Sequence, residues 1–392
     1  MYQIEQCVAG VYPDTPWDEP YQNRINRLIE AKKLGQKTVA FLYPEFDSST
    51  FRYRGYNIAE TLTYSFYWCG ACFQYADREK LIKGLQWIDI LVVIRCPWDE
   101  QSDTFFEKVR SCQIRLCYDV DDLIYSPRYM PEVIKALGLK ENVETNFWFG
   151  LTYRNEKIAS LCDAFITTND YLAAYIKEDF DKPCYTLPNY LNGYQERISE
   201  AYFQKKMLLE PQNPFVIGYF SGSPTHLKDL MTIMPEIEEF LNRHAEAVLR
   251  IVGYMQLPPQ YDRLVSEGRI EYLPFQTFIG LQYEQAKVDI NVVPLVNNVF
   301  SNCKSELKYF ESAIVGTITC ATPSYTYAKA IKDKENGYLC NVGEWLDTFE
   351  RIYQKGQDKK MQNQIRRIAL KEYSGRCQVR RVETLLNNIL DR

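Results

Sequence analysis

The 392-residue sequence predicts an α/β protein made of two doubly wound domains. The length exceeds that of one ordinary domain and suits two. Short apolar runs rich in β-branched residues alternate with helical patterns, which is typical of parallel sheets covered by helices on both faces. These runs form two successive series, and each series is long enough to build a sheet of its own.

The predicted strands follow one another at regular intervals along the chain. The first series begins with TVAFLY at 38–43 and continues at 89–95, 114–118, 164–168 and 184–187. The second series begins with FVIGYF at 215–220 and continues at 248–252, 270–273, 289–293 and 317–321. Because each run is short, apolar and bounded by polar or turn residues, it predicts a buried strand of a parallel sheet.

The stretch from Asn189 to Pro214 contains turn-forming residues and separates the two series. We therefore expect a first domain at 1–205 and a second domain at 206–372. A last helix near 378–390 follows Gly375, and we expect residues 373–392 to pack back on the first domain. Ligands of open parallel sheets bind at the carboxyl ends of the strands, so two such domains predict a central cleft for two substrates.

Composition and charge argue against several functional classes. A net charge of -5 does not suit a nucleic-acid-binding protein. Residues 1–20 include Asp14, Asp18 and Glu19 and no apolar run, so we expect no signal peptide, and no run of about 18 apolar residues could span a membrane. Twelve cysteines suit free thiols in a reducing cytosol. With His226 and His244 as the only histidines, we expect no metal site, and the chain should be cytoplasmic.

The most informative segment is NVFSNCKSELKYFESAIVG at 298–316, between two predicted strands. Lys304, Lys308 and Glu311 fall at helical spacing. Because a helix that begins at a strand end directs free N–H groups towards an anion, the two lysines could hold a diphosphate. Glu311 could accept hydrogen bonds from ribose hydroxyls. The alternative is a solvated helix face with ordinary Lys–Glu pairs.

The run KYFESAIVGTITCA resembles the donor-site segment of family 4 glycosyltransferases, as does the later NGYLC at 336–340. The resemblance implies the GT-B fold of two Rossmann-like domains, a nucleoside diphosphate sugar as donor, retention of anomeric configuration and no metal or other cofactor. It also implies that Glu311, the second Glu of an E-x7-E pattern, binds the donor ribose. Cys303 stands where the first Glu would be, so Ser301, Asn302 or Lys304 would replace its contact.

The segment GYFSGSPTHLKD at 218–229 places a Gly/Ser turn between a strand and a helix. Backbone amides of such a turn can approach a phosphate, and the resembled family has a similar turn that faces the diphosphate. We therefore assign Ser221 and Gly222 to the donor site, with Thr225 as the expected N-cap. The alternative is a simple helix-capping turn. His226 alone is more often structural than catalytic.

The segment YDVDDLIY at 118–125 places three carboxylates after a predicted strand. Asp119 and Asp121 could hold a metal as a D-x-D pair, or act as the nucleophile pair of a phosphatase. In the third interpretation, similar to a D-D-L segment of some family 4-like proteins, they belong to an acceptor-binding or acid/base loop. We favour the third, with Asp121 and Asp122 as catalytic candidates and Asp119 in acceptor binding. A capping role alone also stays open.

Two arginines, Arg52 and Arg54, lie on the segment STFRYRGYN that follows the first strand. Arg binds phosphate or carboxylate groups in a bidentate manner, so we assign both to the acceptor, against the alternative of local ion pairs. The aromatic segment at 64–73 could touch a lipid-linked acceptor, although a buried helix is the more common arrangement. The basic segment at 355–381 could meet anionic lipid headgroups.

These observations together predict a cytoplasmic glycosyltransferase, acting in bacterial surface polysaccharide synthesis. It would use a nucleotide-sugar donor and a glycan or lipid-linked acceptor, in peripheral contact with the inner face of the membrane. Lys304 would act with the donor phosphates, and Asp121 and Asp122 with the acceptor. Two alternatives stay open: a metal-dependent phosphatase or transferase that uses Asp119 and Asp121, and a catalytically silent sugar-nucleotide-binding protein.

Overall fold

The computed structural model describes residues 15–46, 49–208, 214–222 and 226–391. The chain divides into two compact units. The first unit contains Thr15–Gly193, Cys303–Ser305 and the segment that begins at Tyr373. The second unit contains Tyr194–Asn302 and Glu306–Glu372. Each unit contains one parallel sheet, and each is described below by itself.

The helices and strands of the first unit are α1 Tyr21–Lys33, β1 Lys37–Tyr43, α2 Ser49–Phe51, α3 Asn57–Thr61, β2 Trp68–Gln74, α4 Arg78–Ile82, β3 Ile90–Ile94, α5 Ser102–Ser111, β4 Arg115–Asp119, α6 Met130–Leu137, α7 Asn142–Leu161, β5 Ala164–Thr167, α8 Asp170–Phe180 and β6 Cys184–Thr186. All six strands are parallel, in the order β2-β1-β3-β4-β5-β6. The five residues of β3 are all buried, as expected of a strand that is covered on both faces.

The remaining elements are α9 Gly193–Leu208, β7 Phe215–Ser221, α10 Leu227–Met231, α11 Met234–Arg243, β8 Ala247–Gly253, α12 Asp262–Ser266, β9 Ile270–Leu273, α13 Phe278–Ala286, β10 Ile290–Val293, α14 Val299–Asn302, α15 Leu307–Ala313, β11 Ile318–Ala321, α16 Tyr325–Ala330, β12 Tyr338–Leu339, α17 Trp345–Lys355, α18 Lys359–Tyr373 and α19 Gly375–Leu390. The second sheet is also fully parallel, in the order β12-β11-β10-β7-β8-β9. This is the doubly wound order of a dinucleotide-binding fold.

The ten strands that the sequence predicts all form, and the structure adds β2 and β12. Residues 64–73 do not form the buried helix that their aromatic content suggested. Trp68–Gln74 instead pairs with β1 along its whole length, as an edge strand. Gly70 allows this pairing under α3, because a Cβ at Gly70 would lie 3.2 Å from the Cα of Ala59.

The stretch between the two series is more ordered than its turn residues suggested, because α9 occupies residues 193–208. The Cys69–Cys72 spacing, C-x-x-C, falls on strand β2. Residues three apart on a strand face opposite sides of the sheet, so these two thiols do not form a dithiol pair.

Helix α19 packs within the first unit, near the amino ends of β1 and β2. Asn387 Oδ1 accepts hydrogen bonds from Lys37 Nζ at 3.0 Å and from Trp68 Nε1 at 3.2 Å. The Ser65 hydroxyl donates to Glu383 at 2.6 Å. These polar contacts tie the last helix to the first two strands.

Candidate functional site

Each sheet has a point where the strand order reverses, and ligands of doubly wound folds bind outside the carboxyl ends of the strands at such points. In the second unit, the reversal lies between β7 and β10. Ser221 ends β7 and Gly222 follows it, while the segment 294–298 follows β10. The predicted donor residues therefore lie on connections that leave the switch point of the second sheet.

The connection after β10 is shaped by a reciprocal cap. Asn298 Oδ1 accepts a hydrogen bond from Ser301 N at 2.8 Å, and Ser301 Oγ accepts one from Asn298 N at 3.0 Å. Ser301 Oγ also donates to the Val296 carbonyl at 2.6 Å. Each side chain thus satisfies a backbone donor at the start of α14, as in a capping box. The hydroxyl of Ser301, predicted to bind the donor, is used in this cap.

The expectation of one helix carrying Lys304, Lys308 and Glu311 is wrong. The segment forms two short helices, α14 and α15, and Lys304 lies in the turn between them. The side-chain amide of Asn169 donates to the carbonyl of Cys303 at 2.8 Å and fixes this turn in the first unit. Lys308 and Glu311 share α15 in the second unit, so they keep the spacing that the sequence predicts.

Helix α15 holds Lys308 and Glu311 against the β7 and β10 strands. Lys308 Nζ lies 5.3 Å from the centroid of the Tyr219 ring, and the Lys308 carbonyl accepts a hydrogen bond from Asn291. Glu311 is only 2% exposed. Burial raises the pKa of the nearby Tyr327 hydroxyl, and the charges of Glu306 and Glu311 raise it further. A cationic and an anionic side chain therefore lie one helical turn apart on the same short helix.

The turn at the end of β7 requires a glycine on the neighbouring strand. Gly253 has φ +115°, and a Cβ there would lie 1.9 Å from the carbonyl oxygen of Ser221. Ser221 is buried, whereas Gly222 is exposed.

Thr225, the expected N-cap, lies outside the described residues. His226 Nδ1 is 3.0 Å from Asp229 Oδ2, and Asp229 Oδ1 accepts from the Val296 amide at 2.9 Å.

Two asparagines of the predicted site region organise its backbone. Asn302 Oδ1 accepts a hydrogen bond from the Tyr325 amide at 2.8 Å, at the beginning of α16. Asn336, in the NGYLC segment, is buried and donates to the Tyr309 hydroxyl at 2.9 Å and to the Ala330 carbonyl at 3.0 Å. Both side chains therefore hold neighbouring segments in place.

The first unit gathers four charged side chains at the carboxyl ends of β3 and β4, and we call them the charged cluster: Arg95, Asp121, Asp122 and Lys304. Arg95 Nε lies 2.5 Å from Asp121 Oδ1, and Lys304 Nζ lies 3.2 Å from Asp122 Oδ2. The four side chains are 12–25% exposed. Burial acts to lower the pKa of Arg95, but the charges of Asp121 and Asp122 raise it above its usual value. Three of the four were predicted site residues, and the structure brings them together.

Arg95 is the residue that sequence reasoning missed. It follows β3 with φ +46°, a left-handed conformation that is uncommon for a non-glycine residue and is often found at functional sites. The available signal was its position, because Arg95 ends the apolar run DILVVIR at the carboxyl end of a predicted strand. A charged residue at that place points to the ligand-binding edge of a sheet.

Arg54 and Asp119 form a buried ion pair. Arg54 Nε and Nη2 donate to the two oxygens of Asp119 at 2.8 and 2.7 Å, and neither side chain has any exposed surface. Nη1 donates to the Leu187 carbonyl and to Asn189 Oδ1. Burial raises the pKa of the Asp119 carboxyl, and Arg54 opposes that change. The expectation that these two side chains contact an acceptor does not fit their burial, because each is saturated by the other.

Arg52, the second predicted arginine, lies at the start of a π-helical turn at Arg52–Tyr56. Such turns are rare in proteins, and those that occur are often found at functional sites. The Arg52 guanidinium lies 5.2 Å from the centroid of the Tyr53 ring, and Arg52 is 8% exposed. Arg52 is therefore buried, although less completely than Arg54.

The three carboxylates at the end of β4 each lie against a basic side chain. No group of three or more His, Cys, Asp or Glu side chains suited to a metal ion occurs among the described residues. Asp119 is fully buried and Arg54 donates to both of its oxygens, which does not suit the nucleophile of a phosphatase, because a nucleophile must reach its substrate. The phosphatase alternative, which requires Asp119, is therefore not favoured.

No protein-family model and no curated protein sequence matches the chain. Solved structures do match it over nearly its whole length. An α-glucosyltransferase in complex with UDP and a 13-mer DNA has a TM-score of 0.62 at 9% identity, covering 91% of this chain and 100% of the other. Sucrose-phosphate synthase from Thermosynechococcus elongatus has a TM-score of 0.59 at 14% identity, with coverage of 91% and 100%.

A third similar structure is Anabaena HepE in complex with UDP and glucose, with a TM-score of 0.56 at 12% identity, covering 90% of this chain and 100% of the other. None of the helices within the described ranges is both long and apolar enough to cross a membrane. Two six-stranded parallel sheets with surrounding helices, matched over this length, give the chain the GT-B fold of glycosyltransferases.

Proposed function

We propose that the protein is a glycosyltransferase that moves a sugar from a nucleoside diphosphate sugar to a glycan or lipid-linked acceptor. One observation carries the proposal: Lys308 and Glu311 lie on α15, beside the switch point of the second sheet. They do so in a fold shared with glycosyltransferase structures that contain UDP. The nucleotide sugar is a co-substrate in this proposal, and no other cofactor is needed.

The donor would be held mainly by the second unit. Lys308 supplies a cation for the diphosphate, and Glu311 accepts hydrogen bonds from the ribose hydroxyls. Backbone amides of the Ser221–Gly222 turn supply further donors. Positioned donors and cations stabilise the negative charge that develops on a departing diphosphate, and such electrostatic stabilisation is commonly the largest single contribution to catalysis. Ser301 and Asn302 support this site through the caps that they form.

The acceptor would be recognised by the first unit through the charged cluster and Arg52. Asp121 and Asp122 are carboxylates that could orient an acceptor hydroxyl. Asp122 also fixes the amine of Lys304, which we propose stabilises the leaving group. We further propose that transfer retains the anomeric configuration, needs no metal, and serves bacterial surface polysaccharide synthesis. These finer assignments depend on the resemblance of the 308–321 segment to family 4 enzymes.

Contact with a membrane surface is a further part of the proposal. Phe66 and Tyr67 are 89% and 70% exposed, in the turn that leads to β2. Arg376 lies over the ring of Tyr64, at 4.9 Å from its centroid. Exposed aromatic side chains beside a basic residue suit the interface of an anionic membrane. A Phe66→Ser/Tyr67→Ser variant should then lose co-flotation with anionic vesicles, and equal flotation of wild type and variant would contradict this contact.

The proposed function is tested by a screen of nucleotide sugars. Ligand binding raises the apparent stability by mass action, so a donor should raise the melting temperature in a thermal-shift assay with UDP-, GDP- and dTDP-sugars. The selected donor is then incubated with acceptors, with and without EDTA. We expect sugar transfer that survives EDTA. If no nucleotide sugar binds, the glycosyltransferase assignment fails; if a donor binds without any turnover to free nucleoside diphosphate, the protein is a silent sensor.

A further inference from the structure

A second candidate ligand site lies inside the second unit, at the amino ends of β7, β10 and β11. A partly open cavity of about 480 Å³ is lined there by these strand ends, by α9 and α13, and by the connection from α17 to α18. Its volume is within the range of about 300–1,000 Å³ typical of small-molecule sites. None of the proposed donor residues lines it, since those residues lie on the connections that leave the carboxyl ends of the sheet.

The cavity contains a lysine that is held by neutral acceptors. Lys206 Nζ donates to the Val288 carbonyl at 2.9 Å and to Thr317 Oγ1 at 2.7 Å. Both of these partners are neutral oxygen atoms. Burial lowers the pKa of Lys206 to about 8, and Asp289 partly opposes the change. The amine is therefore still mostly charged at pH 7, and a buried charge of this kind is stabilised by a bound anion.

Charge around the cavity favours an anion. The lining includes four cations, Lys205, Lys206, Arg250 and Lys287, and two carboxylates, Asp289 and Asp358. Asp289 accepts a hydrogen bond from the Val216 amide, and Asp358 forms an ion pair with Lys355. Both carboxylates thus have partners of their own. Arg250 and Lys287 also have partners, because each forms an ion pair with a glutamate outside the lining.

Part of the cavity wall is aromatic. Two tyrosine rings, those of Tyr202 and Tyr283, lie in the same wall with their centroids 5.3 Å apart.

We infer that this cavity binds an organic phosphate of the size of a sugar phosphate. The phosphate would neutralise Lys206. The aromatic side chains supply the apolar wall on which the carbon skeleton packs. Because the cavity is separate from the proposed donor residues, the ligand would bind together with a donor and act as an effector of the second unit.

The experiment uses isothermal titration calorimetry of the full chain with glucose 6-phosphate as the probe. Two matched probes accompany it: glucose has the sugar without the phosphate, and inorganic phosphate has the phosphate without the sugar. We expect measurable binding of glucose 6-phosphate, weaker binding of phosphate and none of glucose. Lys206→Met should weaken the binding of both anions at least tenfold. Lys371→Met removes a lysine whose side chain is 80% exposed in the same unit, and should leave binding unchanged.

Two further variants test the contact with the carbon skeleton and the separation of the cavity from the donor site. Tyr283→Ala should reduce the preference for glucose 6-phosphate over phosphate at least threefold, while binding of phosphate itself persists. Glu311→Ala should bind glucose 6-phosphate like the wild type, because Glu311 is not in the cavity. Absence of binding at about 10 mM probe, wild-type affinity of a folded Lys206→Met variant, or loss of binding in Glu311→Ala would each overturn the inference.

Discussion

At the scale of single residues, the donor proposal depends on a buried carboxylate. Glu311 is 2% exposed on a helix of seven residues, at a place where the fold presents strand ends to a ligand. Carboxylate oxygens accept several hydrogen bonds each, and ribose hydroxyls are suitable donors to them. Lys308, one turn earlier, lies over the Tyr219 ring and leaves its amine near the end of β7.

We expect Glu311→Ala to weaken binding of the nucleotide sugar by about tenfold or more. A hydrogen bond to a charged group contributes about 1.5–3 kcal/mol, and about 1.4 kcal/mol corresponds to a tenfold change in affinity. Calorimetric titration with the donor found in the screen measures the effect. Glu335→Ala is the control, because Glu335 is an exposed glutamate of the same unit. Equal affinities of the two variants would remove Glu311 from the donor site.

The charged cluster gives a prediction that separates an acceptor-binding role of its two carboxylates from a metal-binding role. Asp121→Asn and Asp122→Asn keep the side-chain shape and remove the charge that faces Arg95 and Lys304. If these carboxylates orient an acceptor hydroxyl, both variants keep donor affinity and lose transfer rate, by about 10²-fold or more for a lost acid/base role.

The measurements for this prediction are donor affinity and transfer rate, each with and without EDTA. Glu107→Gln serves as the control, because Glu107 is an exposed carboxylate of the same unit. Donor binding that requires a divalent metal and disappears in the Asn variants would reject the acceptor role. It would favour a metal role for the same two carboxylates.

At the scale of the elements, one buried ion pair connects three segments of the first unit. Arg54 comes from the π-helical turn, Asp119 ends β4, and Leu187 and Asn189 follow β6. We expect Arg54→Met and Asp119→Leu each to lower the free energy of unfolding by about 3–5 kcal/mol, because each leaves a buried group without its partner.

The double variant Arg54→Met/Asp119→Leu should be destabilised by less than the sum of the single changes, because it removes both charges together. Urea denaturation of the four proteins measures this coupling. Strict additivity would show that the two side chains act independently, in spite of the 2.7 and 2.8 Å hydrogen bonds between them.

A second element-scale prediction concerns the close approach of β7 and β8. Gly253→Ala would force a Cβ to within 1.9 Å of the Ser221 carbonyl oxygen at φ +115°. We expect the free energy of unfolding to fall by about 1–3 kcal/mol or more. Donor binding should also weaken, because the new Cβ displaces the Ser221 turn. Gly222→Ala is the stability control, because a Cβ there has no described atom within 4 Å. Equal melting temperatures of the two variants would contradict this role of Gly253.

At the scale of the whole molecule, Lys206 affects how stability depends on pH. Its pKa is about 8 in the folded protein, against an ordinary value of 10.5. Between these values the unfolded chain binds a proton that the folded chain has released, so the contribution of Lys206 to stability rises with pH in that window. Below pH 8 the folded protein carries the whole cost of the buried charge, on the order of 1–3 kcal/mol.

We therefore expect Lys206→Met to be more stable than the wild type at pH 7, and the difference to shrink as the pH approaches 10.5. Guanidinium denaturation of both proteins at several pH values measures the difference between their free energies of unfolding. The tyrosine and cysteine side chains are common to both proteins, so the effect of their titration cancels in this difference. A constant difference across this range, or a Met variant less stable at pH 7, would contradict the assignment.

Much of the fold could be predicted from the sequence, because short apolar runs between turns leave few arrangements other than buried parallel strands. The ten runs became ten strands, and the two series became two sheets. The placing of Lys308 and Glu311 on one helix also followed from local spacing. Such features depend on nearest neighbours along the chain, and for that reason a single sequence can show them.

What the sequence could not show depends on partners distant along the chain. Trp68–Gln74 is a strand because β1 lies beside it, although its aromatic residues also suit a helix. Arg54 and Asp119, 65 residues apart, are buried because they satisfy each other.

The same physical reason explains the charged cluster. Lys304 departs from the predicted helix because the amide of Asn169 holds the turn at Cys303, and its amine then meets Asp122, 182 residues away. Arg95 joins the cluster because β3 and β4 are neighbours in the sheet. The sequence by itself determined the kinds of elements and the chemistry available at their ends. Only the tertiary structure decided which charges are exposed to a substrate and which neutralise one another, because electrostatic pairing acts through space.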